Sequence, residues 1–280
     1  VKSDKDPFWH TVSASYFTGC ELTLFDAFDE SQATLANALN MHIQGLKKIG
    51  GTTYIKSYYA DNENTEAWKL MVSTVEAPND TRNSIHAVYT SALNKLIGQN
   101  NSLIKMTSHS TFEIEDLVEE KTALFIISNE ESLSVHSFLI TALLQQWYDI
   151  LINLADRGNG VLKRNVVFVL DEFGNLPAIP DFQTKISLSR ARGISWMIVL
   201  QSFAQLEYRY GKDVAKTIIG NTANWIYLFS PDLETLKYMS ELCGEVIDEY
   251  TGLQSRLLSV NQLRHFEKSN DEGCTECLML

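Results

Sequence analysis

No apolar run in this 280-residue sequence reads as long enough to cross a bilayer, and its start lacks the charged-then-apolar pattern of a secretion signal. The expectation is a cytoplasmic chain with no membrane segment within it. Cysteine is scarce: Cys20, Cys243, Cys274 and Cys277 are too few and too scattered for a disulfide framework. Cys274-Thr275-Glu276-Cys277 has the spacing of a ligand pair, but a tetrahedral zinc site needs a second pair, which the sequence does not offer. Positive charge is scarce as well. Lys and Arg number 23 against 35 Asp and Glu, a net charge of −12, which excludes a surface that grips nucleic acid everywhere and confines any DNA contact to local patches. GxxxxGK[ST] occurs nowhere. Gly211-Lys212 is followed by Asp213 and lacks the glycine five positions earlier, so it forms no amide nest for β- and γ-phosphates. No repeat or low-complexity tract interrupts a composition that is 45% hydrophobic, enough for one large globular domain or two modest ones.

What the sequence does contain is Val166-Val167-Phe168-Val169-Leu170-Asp171-Glu172. Five consecutive apolar residues, mostly β-branched or aromatic, predict a strand covered on both faces, with the two acids emerging where it leaves the sheet. Open α/β sheets place their chemistry at such strand ends. An apolar strand can also end at a solvated acid or at a helix N-cap. In a nucleotide hydrolase the first acid, Asp171, holds Mg²⁺ through its water shell, and the second, Glu172, orients or deprotonates the attacking water. This is the Walker B pattern.

The first 120 residues read as helical. Phe8, Val12, Tyr16 and Cys20 recur at helical spacing, and Ser31 is placed to cap a second amphipathic helix that ends at Lys47-Lys48-Ile49-Gly50-Gly51. The stretch from Tyr54 to Val75 is ambiguous. Residues 81–97 put Ile85, Val88, Tyr89, Leu93, Leu96 and Ile97 on one stripe. From Thr122 the period changes. Strand-like Thr122–Ser128, Val166–Leu170, Trp196–Leu200 and Asn224–Phe229 alternate with helical 132–155, 180–191, 203–210 and 231–243, which predicts an α/β domain with a mostly parallel sheet. Arg157-Gly158-Asn159-Gly160 reads as a helix stop and turn.

Two further polar features lie near the acids in sequence. Trp196–Leu200 ends in Gln201-Ser202, and a glutamine leaving the sheet beside Asp171-Glu172 can hydrogen-bond a γ-phosphate or lytic water. Arg190-Ala191-Arg192-Gly193 closes the preceding helix. There the arginines complement the helix C-terminus, or reach a neighbouring subunit's γ-phosphate as an arginine finger, or contact a DNA phosphate.

The segments DEFGNLPAIPDF, SLSRARGISWMIVLQSFAQLEYRYG and IIGNTANWIYLFSPDLETLKYMSELCGE, with the earlier DPFW and TALFIIS, together resemble type IV secretion coupling proteins, the TraG/TraD-like conjugative ATPases. The resemblance covers nearly everything outside residues 50–80. It implies a RecA-like P-loop NTPase sheet with an inserted all-α domain. Residues 1–29 would be a helical lead-in to the nucleotide-binding domain, 30–120 the all-α domain linked to cargo recognition, and 121–280 the Walker B half of the motor. Residue by residue, Asp171 matches the metal acid, Glu172 the catalytic glutamate, Arg190 the finger and Gln201 the glutamine of the following motif. Arg192 remains a substitute for Arg190 in contacting nucleotide, and Asn221 falls in another family motif where an N-cap or turn role is equally available. The implied cofactors are ATP and Mg²⁺. The implied partners are DNA, a relaxase or its accessory proteins, channel components and five further copies in a membrane-tethered hexamer. In that family the phosphate loop and membrane helices precede the DPFW segment, so the chain reads as a fragment beginning after both, unable to hydrolyse ATP alone. An FtsK- or HerA-like DNA pump would share the strand-end acids but lack the inserted helices, and a cargo-binding module centred on residues 30–120 is the other alternative.

Overall fold

Pro7, whose missing N–H and fixed φ suit a first helical turn, begins α1 (Pro7–Ala27). In the computed structural model, which describes residues 7–97, 101–128, 130–247, 250, 252–266 and 277–280, α1 belongs to the first of two units, 1–113 and 114–280. Tyr16, Cys20 and Leu24 recur every four residues along one face of α1 and are buried. Phe8, on the same spacing, is half exposed. Gly19 lets α1 approach the later helix α4 (Glu66–Val75): a Cβ there would sit 2.3 Å from Met71 Cγ and 2.9 Å from the Ala67 carbonyl.

The second helix departs from expectation at both ends. Ser31 lies in a 3₁₀ turn, Glu30–Gln32, and Thr34 caps α2 (Leu35–Gly45), its side chain accepting the Asn37 N–H at 3.2 Å. Ala38, His42 and Gly45, at helical spacing, form its buried face. Past Gly45 the chain forms a small hairpin, β1 (Lys48–Ile49) with β2 (Thr52–Thr53), turned by Gly50-Gly51. The ambiguous stretch resolves into α3 (Tyr54–Tyr58) and α4, capped by Thr53 and Thr65. Then come α5 (Asn79–Ile97) and α6 (Asn101–Met106). Ile85 and Tyr89 on α5 are buried and Val88 is partly so, while the side chains of Leu93, Leu96 and Ile97 lie outside the described residues. The core of this unit joins Tyr16, Cys20, Ile55, Tyr59, Trp68, Met71, Val75 and Tyr89.

The second unit takes in α7 (Asp116–Glu119), whose Val118 belongs to its core with Ile114. Residues 122–128 do not form the expected strand. They carry no ladder pairing, and Phe125 and Ile127 are 80% and 89% exposed. An apolar run states that a segment resists water, but a strand also needs a partner's backbone. Next is α8 (Glu130–Arg157). Among the described residues one stretch, His136–Arg157, is long and apolar enough to cross a membrane by length and composition, contrary to the expectation from run length. Its Leu144, Tyr148, Leu151 and Ala155 lie in the core of this unit.

β3 (Val166–Leu170) pairs in parallel with β4 (Ile194–Ile198), in the register Leu170↔Ile198, and the two are joined by α9 (Phe182–Ser189) and a 3₁₀ turn at Arg190–Arg192. Beyond β4 follow α10 (Phe203–Tyr210), α11 (Lys212–Gly220), β5 (Ile226–Tyr227), α12 (Leu233–Leu242), β6 (Glu245–Ile247), β7 (Gln254–Arg256), α13 (Val260–Arg264) and β8 (Leu278–Met279). β5 pairs antiparallel with β8, and β6 with β7. Each sheet among the described residues is two-stranded, rather than one multi-stranded sheet. Nor is β3 covered on both faces: Phe168 and Leu170 are buried, whereas Val167 and Val169 are 58% and 62% exposed. On the covered face Phe168 stacks on its ladder partner Trp196 at 4.4 Å, and Phe182 meets Trp196 edge-on at 5.1 Å. Phe173 and Tyr210 continue that aromatic row.

Candidate functional site

Parallel pairing in this register sends both chains out of the same end of the sheet. Asp171 follows Leu170, and Gln201 follows Ile198 by three residues. The pairing runs one step past the ladder, since the Val199 N–H donates to the Leu170 carbonyl at 3.0 Å and the Phe173 N–H to the Val199 carbonyl at 3.1 Å. The acids and the glutamine are thus brought together as neighbours at one sheet edge.

Asp171 and Glu172 are both exposed. The Glu172 N–H donates to Asp171 Oδ1 at 3.0 Å, which holds the aspartate against the turn. Glu172 adopts φ 47°, ψ 43°, a left-handed conformation that costs a non-glycine residue roughly 1–3 kcal/mol. After it the chain makes a 3₁₀ turn, Phe173–Asn175, with the Asn175 N–H bonded to the Glu172 carbonyl at 2.8 Å. Asn175 Nδ2 donates to Glu172 Oε2, also at 2.8 Å.

Residues that sequence reasoning missed hold this turn from the α10 side. Arg209 donates to the Gly174 carbonyl from Nε at 3.3 Å and Nη2 at 3.0 Å. Gln205 Oε1 accepts the Gln201 N–H at 3.1 Å. Gly174 leaves no room for a side chain, because a Cβ there would lie 2.8 Å from Gln205 Cβ and 2.9 Å from its Oε1. Gln205 and Arg209 are four apart and share a helix face. That spacing was the signal available, but nothing in the sequence said which loop the face would meet. Tyr210 accepts the Ile179 N–H at 3.0 Å, and burial pushes its hydroxyl up to about 12, so it stays neutral. The Gln201 carbonyl accepts from Ser230 Oγ at 2.9 Å, anchoring that strand end on its other side.

The two arginines part company. Arg192 pairs with Asp156 at the end of α8 and donates to the Gly160 carbonyl at 3.3 Å, tying its turn to the Gly158–Gly160 loop. Arg190 is exposed, and among the described residues its guanidinium meets no carboxylate. Asn221 caps the C-terminus of α11, its Nδ2 donating to the Thr217 carbonyl at 2.8 Å. Gly211-Lys212 is the junction between α10 and α11. Cys277 is exposed and Cys274 lies outside the described residues, so the ligand-pair reading rests on spacing alone.

Among the described residues no three His, Cys, Asp or Glu side chains gather with metal-binding spacing. One exposed carboxylate at a strand end does suit Mg²⁺, which keeps several waters and takes one or two protein carboxylates beside substrate phosphates. The chain fits the metal and hydrolytic side of a nucleotide site, and offers no phosphate loop for the triphosphate.

The chain is similar to known proteins over most of its length. The chain is 29% identical over 220 residues to the VirD4 protein of Rhizobium rhizogenes, covering 76% of this chain and 31% of that protein. It is 28% identical over 145 residues to the conjugal transfer protein TraG of Rhizobium radiobacter, covering 51% of this chain and 22% of TraG. The chain therefore spans about a third or less of the length of these relatives. Among solved structures, the bacterial conjugative coupling protein TrwBΔN70 superposes with a TM-score of 0.68 at 17% identity, over 96% of this chain and 61% of that one. TrwB in complex with the non-hydrolysable ATP analogue ADPNP gives 0.68 at 16% identity, over 95% and 60%. These likenesses show that the chain shares the fold of these coupling proteins, an α/β part with a helical part. The family described as type IV secretory system conjugative DNA transfer matches residues 1–273, and the chain belongs to that family.

Proposed function

We propose that this chain is the hydrolytic part of an ATP-driven coupling protein, which recruits a relaxase–DNA substrate and moves DNA towards a type IV secretion channel. The observation that carries the reading is the parallel β3–β4 register, which delivers Asp171-Glu172 and Gln201 to one sheet end. Asp171 would hold Mg²⁺ through its water shell, and the bound ion would supply charge neutralisation for the phosphates. Glu172 takes a proton from the attacking water, and Gln201 orients that water or the terminal phosphate. Arg190, exposed and without an ion pair among the described residues, acts as the finger towards a neighbouring subunit. Arg192, engaged with Asp156, holds the turn that presents Arg190 and is its reserve as a nucleotide contact.

Within the same proposal the first unit, 1–113, recognises cargo and the second, 114–280, is the motor half, in place of the expected 1–29 within the nucleotide-binding domain, 30–120 as the all-α domain and 121–280 as the motor half. These bounds follow the packing: Tyr16 and Cys20 of α1 lie in the helical core, and Ile114 and Val118 in the core of the second unit. The working assembly is a membrane-tethered hexamer whose cytoplasmic part includes this chain. The acidic balance leaves DNA contact to local loops.

Glu172→Gln and Arg190→Ala in the full-length protein test the site. Both should abolish ATPase activity while retaining nucleotide binding, a loss on the order of 10³-fold for the finger. Retained turnover in Glu172→Gln would sink the hydrolytic reading, and joint loss of turnover and binding in Arg190→Ala would make that arginine structural. The 280-residue chain alone should release no phosphate from ATP, because positioning the triphosphate is most of this catalysis.

A further inference from the structure

A 3₁₀ turn places side chains three residues apart above one another, and the turn that follows the candidate general base uses that geometry. Asn175 is bonded to Glu172 twice, by backbone N–H to carbonyl at 2.8 Å and by side-chain amide to carboxylate at 2.8 Å. Only the amide nitrogen can face the carboxylate, since an ionised carboxylate accepts and never donates. Holding Oε2 fixes the plane of the carboxylate, and with it the direction in which its remaining lone pairs meet a water proton. The turn bearing Asn175 is itself anchored, with Phe173 buried in the aromatic row, the Gly174 carbonyl held by two Arg209 N–H groups, and Gln205 packed where a Gly174 side chain would be. An anchored turn also accounts for the left-handed backbone of Glu172, since strain persists only where surrounding contacts over-determine it.

We propose that Asn175 is the positioning residue for Glu172, orienting its carboxylate towards the attacking water from a turn clamped to α10. The inference rests on the hydrolytic reading above. It requires Asn175 to act on the chemical step and not on nucleotide affinity.

The test is steady-state ATPase kinetics of the full-length protein carrying Asn175→Ala, Asn175→Asp or Asn175→Gln, with Glu172→Gln alongside. Asn175→Ala and Asn175→Asp should lower kcat about tenfold or more, the range seen when a group supporting a first-contact residue is removed, with KM for ATP within about twofold. Asn175→Gln keeps the donor and should recover part of kcat. Unchanged kcat in Asn175→Ala would overturn the proposal. So would a raised kcat, which would mean the amide restrains the base, or a change confined to KM. Should Asn175→Ala fail to fold, the near-isosteric Asn175→Asp decides in its place, by the same change in kcat. An inactive Glu172→Gln beside a fully active Asn175→Asp rejects this inference alone, whereas an active Glu172→Gln rejects the reading beneath it.

Discussion

Glu172 stands where two demands meet: the backbone must turn out of β3 within one residue, and the side chain must stay at the sheet edge. The left-handed conformation meets both. Gly174 is the second such position, glycine because α10 passes too close for a methyl group. Gly174→Ala should destabilise the chain by roughly 1–3 kcal/mol, as overpacking a fitted contact does. Gln205 would have to move, taking its acceptor away from the Gln201 N–H. Denaturant unfolding of this chain measures the effect, and an unchanged midpoint would show that α10 yields freely. The carboxylate pair was legible in the sequence at this scale, because an apolar run that stops abruptly at two adjacent acids marks the point where a strand leaves its sheet. Asn175, Gln205 and Arg209 were not. Their roles depend on which backbone atoms a helix face meets after folding, and residue type carries no such address.

At the scale of elements, hydrophobic period identified most helices, with α1, α8 and α10 within a few residues of expectation. It missed the start of α2 because two hydroxyl residues three apart, Ser31 and Thr34, both suit an N-cap, and in the fold Thr34 takes the Asn37 N–H while Ser31 lies in a 3₁₀ turn. Thr34→Ala should therefore cost about 1 kcal/mol, and Ser31→Ala less than about 0.5 kcal/mol. Thermal melts followed by circular dichroism decide it, and equal costs would return the cap to Ser31. Strands were harder. Residues 123–127 are all apolar, as β3 is, but have no ladder, whereas β3 has β4, placed beside it by the α9 crossover. Periodicity reports which side chains avoid water and says nothing of a strand's neighbour.

At the scale of the whole molecule, the two units carry different chemistry. The first holds a buried aromatic and imidazole cluster, in which the His42 ring stacks on Tyr89 at 4.0 Å, lies 4.5 Å from His86 and meets Tyr16 edge-on. Burial, with His86 beside it, lowers His42 from 6.5 to about 4, and burial together with Arg82 lowers His86 too. Both rings are therefore neutral when folded and take up protons more readily when unfolded. The stability tied to His42 is complete above pH 6.5 and is lost as pH falls from 6.5 towards 4, by roughly 3 kcal/mol. His42→Phe should flatten that part of the pH dependence. The check is the difference in melting temperature between variant and parent at pH 7 and at pH 4.5, and a difference independent of pH would reject it.

By itself the sequence determined the family, the order of helical and α/β regions, and the strand-end residues Asp171, Glu172 and Gln201. The last two are properties of local pattern, in which period and residue type suffice, whereas the family rests on the resemblance of whole motifs. Only the tertiary structure decided that Gln201 leaves the sheet beside the acids, that Arg192 is held by Asp156 while Arg190 is exposed, and that Glu172 is oriented by a turn clamped to α10. Each of these joins residues brought together by chain crossover, a contact whose energy exists only once the backbone has folded.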